Sequence, residues 1–583
     1  MIKVKKQFSD PAPATSGAGH SQGAFIMRND KFFDGIEKDI KEFLYGYMKV
    51  ESFTFSSNER LVEDFLRKWF ESVPYFKEHP DLCGAYEIQG DPLSRKVMYG
   101  MVRGRGNKAV VLIHHYDVVG IEDFKLLKDY AFSPDELGEK LKEIKESLPK
   151  DAREDLVSGD WLFGRGGCDM KGGGSIQWTL LKKYSELDDF EGNVIVIAVP
   201  DEENMSAGMR GAVPLLAELK DRYNLDYRMM INSEPQQRKS ADEGIFSEGT
   251  VGKIMPFVYV RGYLSHVGKV FEGFSPVNLM SEIVRRTDLN MDFTDAVAGE
   301  SSPPPTWLYL KDSKTVYDVS MPLSMAGCLS VLTLNQTPMS IISRLKSICE
   351  ESFDKVLGEM HASYDRFCAV AKPVAKDLPW KPCVMSFMEL YNEALRDHGD
   401  AFKKAYEAEL EVLTAKLTSG DTNIIECNFE LVEKVFEYVD DLSPRVIYGL
   451  VPPYYPNVSN YFYEGLGERK EITPLLNEFT MKEFGEKYTN EYFFTGICDL
   501  SFSGFSGGSS ENVTAALKEY MPLFGKYYDI PFDALEKISM PCINIGPWGK
   551  DFHKLTERVL KRDLYERTPR ILDHAVEWLL GGM

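Results

Sequence analysis

Lys108-Ala-Val-Val-Leu-Ile-His-His-Tyr-Asp117 is a run of β-branched and aliphatic residues that ends abruptly in two imidazoles and a carboxylate. A short apolar run of this kind, too short for a buried helix, predicts a strand over 108–114 covered on both faces, as in a parallel sheet. Polar groups just past such a strand stand at its carboxyl end, where open α/β sheets bind ligands. His115 and Asp117 are two residues apart, so they share a side of a continuing strand.

The same arrangement recurs down the chain. VIVIAVPDEEN (194–204) carries Glu202 and Glu203 past a second apolar run, MMINSEP (229–235) carries Glu234 past a third, and CINIGPWGKDFH (542–553) carries His553 past a fourth. Asp169 lies in GRGGCDMKGG (164–173), a glycine-rich turn whose backbone can pass close to a bound group. This turn lacks the GxxxxGK[ST] pattern of a phosphate loop. Taken singly these motifs are common accidents of sequence; a second Glu pair stands at 350–351. Their order and their placement at strand ends make the pattern, together with the scarcity of histidine, of which the chain has nine.

Strand-like runs at 108–114, 193–199 and 228–232 alternate with helical patterns at 174–187 and 206–222, after helices at 34–48 and 59–71. The reading is α/β with a mostly parallel central sheet. Residues 121–158 read as a polar surface insertion. Near 245 the pattern changes: strands at 251–260, 315–321 and 328–334 with helices at 276–286 and 338–357 predict an α+β module. The division expected is a loose tail at 1–30, a main domain formed by 31–248 and 372–583, and a module at 249–371 inserted into it. Within the second part, 372–440 reads as helical, 445–451 and 541–545 as strands, and 553–580 as a closing helix. No internal repeat is evident.

At 583 residues, 43% hydrophobic and 27% charged, the chain has the length and composition for a large core in more than one domain. A net charge of −22 argues against nucleic acid and anionic membrane as partners, since both reward clustered Lys and Arg. No apolar run approaches membrane-spanning length, about 20 residues. The nine cysteines form no CxxC pair and are odd in number. With no apolar signal core at the amino terminus, they point to a reducing, cytoplasmic setting.

Donor chemistry divides the labour. His115 and His553 offer neutral imidazoles, and Asp169, Glu203 and Glu234 offer carboxylates. Asp169, central in order, is the choice for a bridge between two divalent ions. Asp117 would accept the second ring N–H of His115 and fix its tautomer. Such ions lower the pKa of a water towards ~7. Glu202, pointing away from its neighbour, would take that water's proton as general base. A single ion, or a metal-binding protein without activity, would use the same residues.

In this order the motifs resemble the zinc aminoacylase, desuccinylase and glutamate carboxypeptidase family of metallopeptidases, over most of 30–583. Length, the early insertion and ICDLSF (497–502) most resemble the branch of the arginine-utilisation protein RocB. The resemblance implies two zinc ions, with cobalt or manganese as substitutes. His115 and Glu234 would hold one and Glu203 and His553 the other, with Asp169 bridging, Asp117 orienting His115, and Glu202 as base. It implies hydrolysis of an amide or peptide bond in a small N-acyl amino acid or short peptide. The inserted module resembles a lid or dimerisation domain, so a homodimer is a possible assembly. Its segment VYVRGYLSHVGKVFEG (258–273) implies an oxyanion-stabilising role for His266, in cis or from a second copy. Asp499, Ser501 and the following GFSGGSS resemble a substrate-binding loop. One departure concerns substrate: the lid strand CLSVLTLNQTP (328–338) lacks the arginine that meets a substrate carboxylate in smaller relatives.

Overall fold

The computed structural model describes residues 30–238, 240–371, 377–505 and 509–581. The expected tail at 1–30 therefore lies, apart from Asp30, outside the described residues.

The run that opened the analysis is the strand Arg105–His115, whose last seven residues are all buried. It pairs in parallel with Glu191–Val199 on one side and Asp226–Asn232 on the other. Its side chains alternate between two packed faces. Val111 and Ile113 meet Met209, Val213 and Leu216 of the helix Ala207–Tyr223. Val110 and Leu112 meet Ile176 and Trp178 of the helix Lys171–Ser185 and Leu572 of the helix Thr568–Gly581. The eight-stranded sheet runs Cys83–Glu87, Lys96–Arg103, Glu191–Val199, Arg105–His115, Asp226–Asn232, Cys542–Asn544, Glu243–Ser247, Lys487–Glu491. Four of its seven pairings are parallel, including the three that flank and follow the His115 strand.

A second, six-stranded sheet holds Thr306–Asp312, Ser324–Thr333, Pro256–Arg261, Arg445–Leu450 and Val384–Ser386 in that order, with Gly252–Ile254 also paired to Ser324–Thr333. Alternate residues again separate two layers. Val258 and Val260 face Ile341 and Leu345 of the helix Pro338–Ala371, and Phe257 and Tyr259 face Leu431 and Val435 of the helix Ile424–Phe436.

Several sequence expectations change here. Residues 445–451 do form a strand, but Arg445–Leu450 pairs antiparallel with Pro256–Arg261 in the second sheet, not with the central one. An all-apolar strand announces burial without naming its sheet. The helices Phe387–Ser419 and Ile424–Phe436 go with it. We propose that the inserted module runs from about 249 to about 450 rather than closing at 371. Residues 315–321 are an exposed loop; the strands lie on either side, at Thr306–Asp312 and Ser324–Thr333. The closing helical run begins near 561, with a π turn at Asp563–Arg567 leading into the helix Thr568–Gly581, because 549–560 is spent on a hairpin, Gly549–Lys550 with Arg558–Leu560. Residues 121–158 have a core of their own: Phe124, Leu137, Leu141 and Leu156 pack on Trp161 and Phe163.

Candidate metal centre

Each strand end delivers one group, and each is held by contacts that the motifs do not contain. His115 ends its strand with no exposure. Its Nδ1 lies 3.1 Å from the Asp117 carbonyl oxygen, while the Asp117 carboxylate stands at 3.5 Å. The Asp117 carboxylate instead accepts the backbone N–H groups of Glu202 (3.1 Å) and Glu203 (3.2 Å). Thus Asp117 orients the ring chiefly through its backbone, and its side chain ties the His115 strand to the Glu202–Glu203 turn.

That turn is clamped from behind. Asp201 has a positive φ of 68°. Its N–H donates to Glu59 (2.8 Å), and its carboxylate accepts from Arg95 (2.7 Å) and from the Ala207 N–H (3.1 Å). Arg95 is 1% exposed and also pairs with Glu59 (2.8 Å) and Asp91 (2.6 Å). Removing one partner of a buried ion network leaves the others uncompensated, at about 3–5 kcal/mol. Arg95→Met is therefore expected to lose stability of that order in urea unfolding, and a loss below about 1 kcal/mol would show the network to be dispensable.

Asp169 sits at the mouth of the helix Lys171–Ser185. Buried Glu557 accepts the N–H of Gly166 (2.8 Å) and of Asp169 (3.4 Å) and pairs with Arg165, fixing the turn. The glycines that follow allow close packing. A Cβ on Gly173 would lie 2.2 Å from the Ser233 carbonyl oxygen, and one on Gly174 would lie 2.3 Å from the His114 ring. Their need is to let the helix lie against the strands carrying His115 and Glu234, more than to admit a bound group.

His553 rides on a turn with positive φ at Asp551 (56°) and at His553 itself (62°). Fully buried Arg558 binds Asp551 and reaches Asp155 (2.7 Å) and Asp151 (2.9 Å) of the helix Lys150–Ser158. Lys550 also pairs with Asp155 (2.8 Å). The insertion at 121–158 therefore anchors the late histidine.

These supports bring six groups together. His115 Nε2 lies 3.0 Å from Asp169, 3.3 Å from Glu234 and 4.0 Å from Glu202. His553 Nε2 lies 2.8 Å from Glu203 and 3.3 Å from the other oxygen of Asp169. Asp169 thus reaches both imidazoles. Donor atoms of His115, Asp169 and Glu203 lie within 4.8 Å of one another, as do those of His115, Glu202 and Glu234.

The electrostatics are those of a site built for cations. Burial pushes the Glu234 carboxyl up to about 7, with neighbouring Asp169 adding to it, and burial likewise raises Glu202 well above the usual range. Hydrogen bonds to Asp169 and Glu203 lift His553 to about 10. The His115 ring is raised despite its burial, chiefly by the charge of Glu234. Neutral imidazoles and carboxylates are the donor set that Zn²⁺ and related ions take, and the spacing fits them.

The comparisons with known proteins follow this geometry. The model of "Peptidase family M20/M25/M40" matches residues 145–501. The chain belongs to that family. The matched span holds Asp169, Glu202, Glu203 and Glu234 and leaves both imidazoles outside it, so the fold supplies their placement. Over 542 residues the chain is 30% identical to the uncharacterised protein YqjN of Bacillus subtilis (strain 168), covering 92% of this chain and 95% of that protein. Over 526 residues it is 30% identical to protein RocB of the same organism, covering 89% and 90%. Among solved structures, the di-peptidase Dug1p of Saccharomyces cerevisiae superposes with a TM-score of 0.52 at 11% identity, over 95% of this chain and 98% of that one. This likeness shows the fold: an α/β domain with a mostly parallel central sheet, joined to a second module. Family membership makes the chain a metal-dependent peptide hydrolase.

His266 is not among the assembled groups. It lies on an exposed loop of the second sheet, where its Nδ1 accepts the Gly268 N–H (3.1 Å). Asp499 and Ser501 are fully buried on the turn Asp499–Phe502. In the sequence that follows, 506–508 lie outside the described residues, and Ser509 caps the helix Ser510–Tyr520. Sequence reasoning missed Glu59, Arg95, Glu557 and Arg558. Each is one ionic residue with no motif around it, and only the neighbouring Asp201 carried a local signal.

Proposed function

We propose that the chain hydrolyses an amide or peptide bond of a small N-acyl amino acid or short peptide with a pair of divalent ions, zinc first and cobalt or manganese as substitutes. The observation that carries this reading is Asp169, whose two oxygens each face a different imidazole. His115 and Glu234 would hold one ion, Glu203 and His553 the other, and Asp169 both. Bound there, the ions supply Lewis acidity to a substrate carbonyl and to a water.

The chain's own residues do the rest. Glu202 stands farther from His115 than Asp169 and Glu234 do, and its burial gives it a high proton affinity. It suits a base that takes a proton from water and passes it to the leaving amine. Asp117 holds the backbone of Glu202 and Glu203 in register with His115. His266, exposed on the lid module, would supply an N–H to the developing oxyanion from a second copy, which makes the lid the surface of a homodimer. Nine free cysteines suit a reducing cytoplasm.

The test is a metal-replete screen of N-acyl amino acids and dipeptides, with arginine- and ornithine-type compounds included. Chelation should abolish hydrolysis, and zinc, cobalt or manganese should restore it with two ions per chain. Activity that survives verified metal removal would overturn the mechanism. One ion per chain at full activity would reduce the site to a mononuclear one. Metal binding without hydrolysis of any amide would make it a binding protein.

A further inference from the structure

Every acid of the centre but two, Glu202 and Asp499, has a close answering group. Asp117 takes two backbone N–H groups, Asp169 two imidazoles, Glu203 one and Glu234 one. Glu202 stands free as the base. Asp499 is fully buried, and neither of its carboxylate oxygens has a hydrogen-bond partner; the hydroxyl of Ser501, two residues on, has none either. Their turn packs against the ends of the strands Arg105–His115, Asp226–Asn232 and Cys542–Asn544. Asp499 there lies within electrostatic reach of His115, Glu234 and Glu202. Buried polar groups are almost always satisfied, and a buried carboxylate is either met by a countercharge or held neutral by a proton.

Resting on the two-ion reading above, the charges make the same point. Six carboxylates (Asp117, Asp169, Glu202, Glu203, Glu234, Asp499) converge on neutral imidazoles, and two divalent ions balance four of them. Glu202 takes up a proton during turnover and the buried Lys171 ammonium lies within electrostatic reach of Asp117, so Asp499 is the one acid of the six that none of these groups meets directly.

We propose that Asp499 anchors a cationic group of the substrate, an ammonium or guanidinium, with Ser501 as an accessory hydrogen-bonding group. The cation is either the α-ammonium of a peptide or the basic side chain of an acylated amino acid. Both present N–H donors to a carboxylate in charge-assisted hydrogen bonds.

The experiment compares zinc-loaded wild type with Asp499→Asn on two matched pairs: alanyl-glycine against its N-acetyl form, and N-acetyl-ornithine against N-acetyl-norvaline. Truncating one partner of a buried charge pair costs on the order of 30-fold or more. In wild type, one cationic member should exceed its uncharged counterpart by at least ~30-fold in kcat/KM, and which pair shows it identifies the source. In the variant that ratio should collapse to within about threefold, the cationic member losing more than the uncharged one and losing it chiefly through KM. An unchanged ratio, or equal losses on both members, would overturn the proposal and leave Asp499 a structural residue hydrated by an internal water. Where circular dichroism shows the variant unfolded, calorimetry on metal-loaded wild type decides. L-Alaninamide and ornithine are titrated against their N-acetyl forms, and equal affinities in both pairs would overturn it. Selective cation binding without hydrolysis of any substrate would sink the amidase reading and leave this one standing. Hydrolysis without cation preference would do the reverse.

Discussion

Glu202→Gln is expected to leave the metal content unchanged and to lower kcat by about 10²–10⁴-fold, the range that a positioned general base contributes. The substitution keeps the shape of the side chain and removes its proton affinity. The backbone N–H of residue 202 still donates to Asp117, so the turn that carries Glu203 stays in place. The loss should fall on kcat with KM little altered, because a proton carrier acts in the transition state rather than in substrate binding. Elemental analysis and steady-state kinetics on the same preparation make the check. Wild-type turnover with full metal would remove Glu202 from the chemistry, and loss of metal would make it a ligand instead.

Asp169→Ala is expected to do the opposite: to lose the metal first and the activity with it. Asp169 lies 3.0 Å from one imidazole and 3.3 Å from the other, and no other carboxylate among the described residues reaches both. Its loss should weaken metal affinity by more than ~100-fold, beyond the cost of disturbing a residue that merely orients a ligand. It should also leave Glu234 and Glu203 facing separate histidines. Competition with a chelator of known affinity measures the effect. An Asp169→Ala protein that retains two ions at wild-type affinity would show that Asp169 does not bridge.

The central fold was legible because its strands are short, apolar and capped by chemistry. Periodicity gave the three strands that carry His115, Glu202 and Glu234, and each ends within a residue or two of its expected place. The second sheet was harder. The run at 445–450 is as apolar as a central strand, but its partner, Pro256–Arg261, lies almost two hundred residues upstream, and local composition holds no trace of such a pairing. The site divides along the same line. Residues whose side chains do the chemistry sit in motifs. Those that hold the motifs still, Arg95 under the Glu202 turn and Arg558 under the His553 turn, are single cations, each with one acid nearby in sequence and two gathered from elsewhere. The role of Asp117 was half visible. Its nearness to His115 follows from strand geometry, whereas its grip on two amides follows from a loop that only the fold brings near.

The tether from Arg558 to the helix Lys150–Ser158 has a consequence for biogenesis. The second imidazole enters the polymer 438 residues after the first (553 minus 115) and is steadied by a segment translated long before it. On the two-ion reading, a nascent chain has four of the five ion-holding groups in place by residue 234 and waits for the fifth, His553, until near the end of its synthesis. On that reading the site of the second ion is completed only by the last part of the chain to be made.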